Sequence, residues 1–237
     1  MTGSFRAESA ARLGGANARI VSNRVHTREL TIDLFAGIRY LDLDESLLLT
    51  QTTQATNSGI VLLNGTTYGP GVPLTITDRF RTRNQFYGGE LGGRAELRQG
   101  FGFLAVTPSI AFGPVHQTAQ ASGSSSVPGV ELPGGLYAVT GGNAGRDVTN
   151  RFAVMTEIRT EVGIYLTGSS RLSVGYDFLY LGSVARPGEQ IDYVVNTRLV
   201  PTTRRFGSLS GVASPLPTAG RTDFYAHALR VAFELRY

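Results

Sequence analysis

At 237 residues with a formal charge of +4, the chain can bury a sizeable core and is too mildly basic to name a partner by charge alone. It contains no cysteine, which excludes a disulfide framework and any thiolate metal site. Its low charged content of 17%, beside 30 glycines, 10 tyrosines and 12 phenylalanines, favours turns and pleated strands over helices.

The first predicted strand, about Phe5 to Val21, is irregular; its apolar side switches at Gly14-Gly15, as a bulge would make it do. After it the alternation is plain. "LTIDLFAGIRYL" sends Leu30, Ile32, Leu34, Ala36, Ile38 and Tyr40 one way and Thr31, Asp33, Gly37 and Arg39 the other. "YGGELGGRAELR" opposes Tyr87, Leu91, Ala95 and Leu97 to Glu90, Arg94, Glu96 and Arg98, and "LAVTPSIAF" opposes Leu104, Val106, Ile110 and Phe112 to Thr107 and Ser109. "RFAVMTEIRTEVGIYL" sets Phe152, Val154, Ile158, Val162, Ile164 and Leu166 against Glu157, Arg159 and Glu161. "RLSVGYDFLY" sets Leu172, Val174, Tyr176, Phe178 and Tyr180 against Ser173, Gly175 and Asp177. The last strand places Tyr225, Leu229, Val231, Phe233, Leu235 and Tyr237 opposite Arg230, Glu234 and Arg236.

Seven strands result, joined by connections that alternate in length. Short ones lie near Arg24 to Thr27, at Gln99-Gly100 and at Thr167 to Ser170; long ones, rich in Gly, Pro, Ser and Thr, lie at about Asp44 to Thr75, Val115 to Asn150 and Pro187 to Thr222. All short turns therefore fall at one end of an antiparallel up-and-down sheet and all long loops at the other. No linker divides the chain, so residues 1–237 read as one β-barrel domain.

No run of about eighteen apolar residues could span a membrane as a helix, but a transmembrane barrel signals itself by alternation instead. Three features favour that barrel over a soluble all-β binding domain. Each strand offers the roughly ten residues a tilted crossing needs, the loops are one-sided, and the apolar rows end in aromatics such as Tyr40, Tyr87, Phe112, Phe152, Tyr180, Tyr225 and Tyr237, as interfacial girdles do.

On the barrel reading the second face lines a lumen. There the predicted basic residues are Arg39, Arg94, Arg98, Arg159, Arg230 and Arg236, and the acids are Asp33, Glu90, Glu96, Glu157, Glu161, Asp177 and Glu234. Such a lining is nearly neutral, and its opposite charges can pair across neighbouring strands, with arginine binding carboxylates bidentately. The basic surplus falls in the N-terminal segment and short turns, at Arg6, Arg12, Arg19, Arg24, Arg28 and Arg171; it is scattered and forms no nucleic-acid stripe. Arg79, Arg81 and Arg83 share a face at the loop end of their strand, where they are either lipopolysaccharide contacts or a solvated rim.

Other motifs carry less chemistry. "GGELGG", Gly88 to Gly93, runs into a strand and not a helix, so it reads as curvature and room for aromatics in place of a phosphate loop. His26, His116 and His227 have no metal-ligand spacing. His227 with Asp223 could imitate a hydrolase couple, but a histidine among strand-end aromatics reads as an interfacial residue. Pro187-Gly188 in "VARPGEQID" fits the centre of a type II turn, with Arg186 and Glu189 flanking it or reaching into the barrel mouth. No catalytic residue, metal site or cofactor is expected.

Several of these stretches together, "LFAGIRYLDLDESL", "RNQFYGGELGGRAELR", "RFAVMTEI", "VGYDFLYLGSVARPGEQIDYVVN" and "TDFYAHALRVAFELRY", resemble the seventh family of bacterial putative outer-membrane β-barrel porins, from about Leu13 onward. The resemblance implies an outer-membrane location. Phe233, Leu235 and Tyr237 look like the terminal signal read by barrel-assembly machinery. Family members carry a signal peptide and further N-terminal strands, and the first twenty residues lack the apolar core of a signal peptide. Single-chain bacterial barrels have an even strand number, so the odd count predicts an N-terminally incomplete barrel. The functional expectation is a porin passing small polar solutes, with membrane lipid and lipopolysaccharide as surroundings. The alternatives are a non-conducting structural or surface-interaction barrel with working loops, and the soluble all-β domain.

Overall fold

The computed structural model describes residues 1–57, 59–208, 214–218 and 220–235. Among these residues ten strands form: β1 (Thr2–His26), β2 (Leu30–Gln54), β3 (Val61–Leu63), β4 (Thr66–Tyr68), β5 (Pro73–Gln99), β6 (Gly102–Val127), β7 (Val130–Pro133), β8 (Gly145–Tyr165), β9 (Ser170–Val184) and β10 (Thr222–Leu235). The seven long ones make one antiparallel sheet in the order β1-β2-β5-β6-β8-β9-β10, curled into a half-barrel. The two-strand β3-β4 hairpin stands in the first long loop, and β7 folds back on β6 in the second. The expected all-β, up-and-down architecture and strand number hold.

Strand length is where expectation falls short. β5 has 27 residues, about 90 Å of extended chain, against the roughly ten residues a crossing needs. The ladder of β2 with β5 runs unbroken from Leu30 and Leu97 to Gln54 and Pro73. Much of what reads as long loop is thus strand: Asp44 to Gln54, Pro73 to Thr75, Val115 to Val127 and Gly145 to Asn150 all pair. The reason is physical. Beyond the apolar band the outer face turns polar, so the period-2 signal fades while the hydrogen-bonded ladder continues.

Two local readings are also corrected. Gly14 and Gly15 pair in regular register with Asp42 and Leu41, and the irregularity in β1 lies between Asn23 and Val25. Pro187–Gln190 is a 3-10 turn and not a type II turn; Glu189 N–H donates to Arg186 O, and Gly188 has no positive φ.

Parity sorts the sheet as predicted. Ile38, Tyr87, Leu91, Phe152, Leu229 and Val231 stand exposed on the convex face, whereas Phe86, Glu90, Val115, Met155 and Glu161 are buried on the concave one. The glycines of "GGELGG" make room for rings: a side chain at Gly88 would collide with Phe86, and one at Gly92 with Phe35. β1 and β10 end the sheet, and both run from the long-loop end to the short-turn end. Residues of both, Leu13, Gly14, Gly15 and Asn17 on β1 and Ala226 to Ala228 on β10, line one cavity of about 320 Å³.

Candidate functional site: the concave face and the loop that crosses it

At the short-turn end the concave face is an ion-pair lattice. Arg19 grips Glu90 with two bonds of 2.7 Å, across Gly37, which occupies the row between them and has no side chain to block the reach. Arg39 and Arg159 share Glu157 at 3.1 and 2.6 Å. Glu96 collects Arg94 at 2.8 Å, Arg98 at 2.7 Å, Arg171 at 3.5 Å and the Tyr165 hydroxyl at 3.0 Å. Arg171 also holds Glu234 through two bonds of 2.6 and 2.8 Å. Arg230 reaches Asp177 at 3.7 Å and, across Gly175, Glu161 at 4.0 Å; Arg94 meets Glu161 at 3.6 Å. Asp33 accepts from Asn23 at 2.5 Å.

The lattice contains every predicted lumen residue that is described; Arg236, like Tyr237 of the terminal signal, lies outside the described residues. It also contains two that the sequence reading placed elsewhere, Arg19 and Arg171. Parity carried the signal for both, since Arg19 shares a face with Val21 and Asn23, and Arg171 with Ser173 and Asp177. Among the described residues the lining then holds seven arginines, Arg19, Arg39, Arg94, Arg98, Arg159, Arg171 and Arg230, against the seven acids Asp33, Glu90, Glu96, Glu157, Glu161, Asp177 and Glu234. Three arginines also cover aromatic rings: Arg19 over Phe35 at 4.3 Å, Arg171 over Phe103 at 5.1 Å and Arg98 over Tyr165 at 5.6 Å.

Toward the loop end an apolar cluster takes over part of the same face, with the buried Glu45, Asn84 and Gln117 beyond it. Leu41, Leu43, Phe86, Ala111, Val115, Ala153, Met155, Leu179, Leu181, Val184 and Phe224 form one buried cluster. The mixed-charge lining therefore covers only the turn half of the lumen.

Over this cluster the third long loop crosses from β9 to the opposite wall. The buried Asn84 side chain acts as a substitute strand for it, donating to Ala185 O and accepting from Ala185 N–H, both at 2.8 Å. Gln117 donates to Ser183 O at 2.5 Å and accepts from Arg221 at 3.2 Å. Arg186 then clasps the buried Glu45 on β2 through two bonds of 2.8 and 3.1 Å. Arg186 thus reaches into the mouth, whereas Glu189 makes no pair with it. The second loop is tied beside it: Asp78 accepts N–H groups from Leu136, Tyr137 and Ala138 at 3.2, 3.0 and 2.7 Å. Burial pushes the Asp78 carboxyl up, against those three donors. Further out, N–H groups of Leu216 and Val194 hold Asp192 below the usual carboxylate range.

The convex face carries an apolar band closed by aromatics. Tyr40 and Tyr87 lie 4.9 Å apart and Tyr180 and Tyr225 5.4 Å apart, and Phe112 and Phe152 stand exposed on the two strands between them. From Tyr40 to Leu30, or Tyr87 to Leu97, the band is one tilted crossing tall, about 25 Å. Phe233 and Leu235 are exposed within it. Immediately beyond the tyrosines charge returns: Arg83 holds Asp42 with bonds of 3.0 and 2.7 Å and keeps that carboxyl below its ordinary range, and Arg81 approaches Asp44 at 3.8 Å. Arg79, Arg81 and Arg83 do share this exposed outer face.

His227 belongs to the band. Its Nδ1 lies 2.6 Å from the Tyr176 hydroxyl and its ring packs on Phe178, while Asp223 accepts from Ser183 N–H, so the two form no couple. Among the described residues no group of three or more His, Asp or Glu side chains could hold a metal ion.

A model of the family described as putative beta barrel porin-7 matches residues 1–237. No curated protein and no solved structure matches the chain.

Proposed function

The chain belongs to the putative beta barrel porin-7 family, and from that premise we propose that it builds the wall of an outer-membrane barrel that passes small polar solutes beneath a latched third loop. The observation that carries this is the inverted sidedness of the sheet. Apolar side chains face outward in a band bounded by tyrosines, and the ion pairs face inward. Such a band is matched to lipid, where the ladder satisfies every backbone group that water cannot reach. Near-equal numbers of arginines and acids on the inner face support weak ion selectivity. Barrel-assembly machinery is the partner that inserts it, and no catalytic step is ascribed to it.

A second reading, a non-conducting barrel whose loops are its working part, is favoured by one feature: the buried apolar cluster under the crossing loop. Conductance of the folded protein in planar bilayers separates the two. The porin reading expects small, weakly selective steps that grow when Arg186→Ala releases the loop from Glu45. Silence from both the wild type and Arg186→Ala would favour the second reading.

A further inference from the structure

The convex face has two hollows that a solute path does not use. At the tyrosine row, Ala16, Ala18 and Gly89 leave a cavity of about 620 Å³ walled by Ile38, Tyr87 and Phe112. Small residues among large ones make it, and Gly89 has open space where a Cβ would stand. Directly beyond the tyrosines a second hollow of about 270 Å³ is lined by Arg81, Arg83, Arg146 and His116, with Asp44 as its acid. The register stacks the two. Gly89, Tyr87, Gln85, Arg83 and Arg81 climb one face of β5, and Arg81, Gln120 and Arg146 lie in one cross-strand row above His116.

The upper hollow is incompletely neutralised. Arg81 meets Asp44 only at 3.8 Å, and neither Arg79 nor Arg146 has an ion-pair partner among the described residues. Arg83 is held by Asp42, but Arg146 is unpaired and Arg81 only loosely held, and an apolar groove that ends at such arginines complements an amphiphile with an anionic head. Arg81 and Arg146 stand two strands apart in one row, about 10 Å, a span that one phosphodiester does not fill and that two phosphates separated by a sugar backbone do. Arginine's planar fork suits phosphate oxygens.

We propose that the paired hollows bind a diphosphorylated, acylated disaccharide lipid of the lipid A class, phosphates against Arg81, Arg83 and Arg146 and one acyl chain along Gly89. This rests on the reading that the convex face lies in an outer membrane. The test is native mass spectrometry of the folded protein in non-ionic detergent, titrated with diphosphorylated lipid A, its monophosphorylated form, phosphatidylglycerol and inorganic phosphate. Lipid A is retained, the monophosphorylated form binds about tenfold more weakly, phosphatidylglycerol more weakly still, and inorganic phosphate is not retained.

Arg81→Glu with Arg146→Glu weakens lipid A at least about tenfold. Gly89→Leu, which fills the groove where a side chain has room, weakens lipid A but leaves a de-acylated diphosphorylated disaccharide unaffected. Both variants retain the wild-type heat-modifiable gel mobility, which separates lost binding from lost fold. Equal retention of lipid A and phosphatidylglycerol, or indifference of lipid A to both variants, overturns the proposal and leaves the membrane reading standing. Failure of the wild type to insert into any bilayer overturns that reading and the proposal together.

Discussion

The two halves of the concave face are held by different means. Near the short turns every partner sits on a strand, and its place follows from register: Arg19, Gly37 and Glu90 occupy one row, as do Arg230, Gly175 and Glu161. Near the long loops the face is completed by chain that has left the sheet. Ala185 meets Asn84, 101 residues away, and Arg186 meets Glu45, 141 residues away. The turn half spends its side chains on neutralising buried charge, whereas the loop half buries apolar surface and needs the loop as its lid.

That contrast can be broken from either side. The largest expected effect is in the loop half, where Phe86 has no exposed surface. Phe86→Ala should cost about 4 kcal/mol in urea unfolding; a loss under about 1 kcal/mol would mean that the cluster is not a packed core.

In the turn half Glu96→Leu should cost about 3 kcal/mol, because it takes a shared carboxylate from Arg94 and the buried Arg171 and leaves Arg98 with no acid partner. Replacing Arg98 as well by Leu should recover part of that loss, as Arg98 has no other acid partner among the described residues and its removal takes away the unpaired charge. A double variant weaker than the single one by the full cost of two deletions would refute the lattice as a coupled unit.

The smallest effect is outside both halves. Asp42 has its pKa depressed by Arg83, so the pair's contribution is present above the unfolded value of about 3.9 and is lost as pH falls through the lower folded value. Because the pair is exposed, Asp42→Asn should flatten the acid limb of a stability-versus-pH curve only slightly, and a large change at neutral pH would contradict the assignment.

The same division explains what the sequence makes legible. The turn half is readable because a strand's period of two assigns each side chain a face once the apolar row is found. Asp33, Arg94, Arg159 and Asp177 fall into one inner row by that rule alone. Arg19 escapes it because the first strand shows no regular apolar row from which to set its parity, and Arg171 because it lies beside a turn, where charged residues are ordinarily solvated. The loop half is opaque for a different reason. "QTAQASGSSSV" in β6 is wet on its outer face and packed by loops on its inner face, so no apolar row marks it as strand. Nor does anything in "VARPGEQID" announce Glu45 as the partner of Arg186, since that contact is made by a chain reversal across the whole sheet. The pre-proline Arg186 is extended, φ −121° and ψ 147°, as a residue before proline should be, and that extension aims it at the wall.

The central claim is that the convex face meets lipid and the concave face does not. The absence of cysteine permits a direct test, by single cysteines placed in turn from Tyr225 to Leu235 in proteoliposomes and spin-labelled for accessibility to oxygen and to a water-soluble nickel reagent. The account predicts strict alternation, with oxygen favoured at Tyr225, His227, Leu229, Val231 and Phe233 and the nickel reagent or protein burial at Ala226, Ala228, Arg230 and Ala232. Water accessibility at Leu229 and Val231, or an accessibility pattern without a period of two, would contradict it.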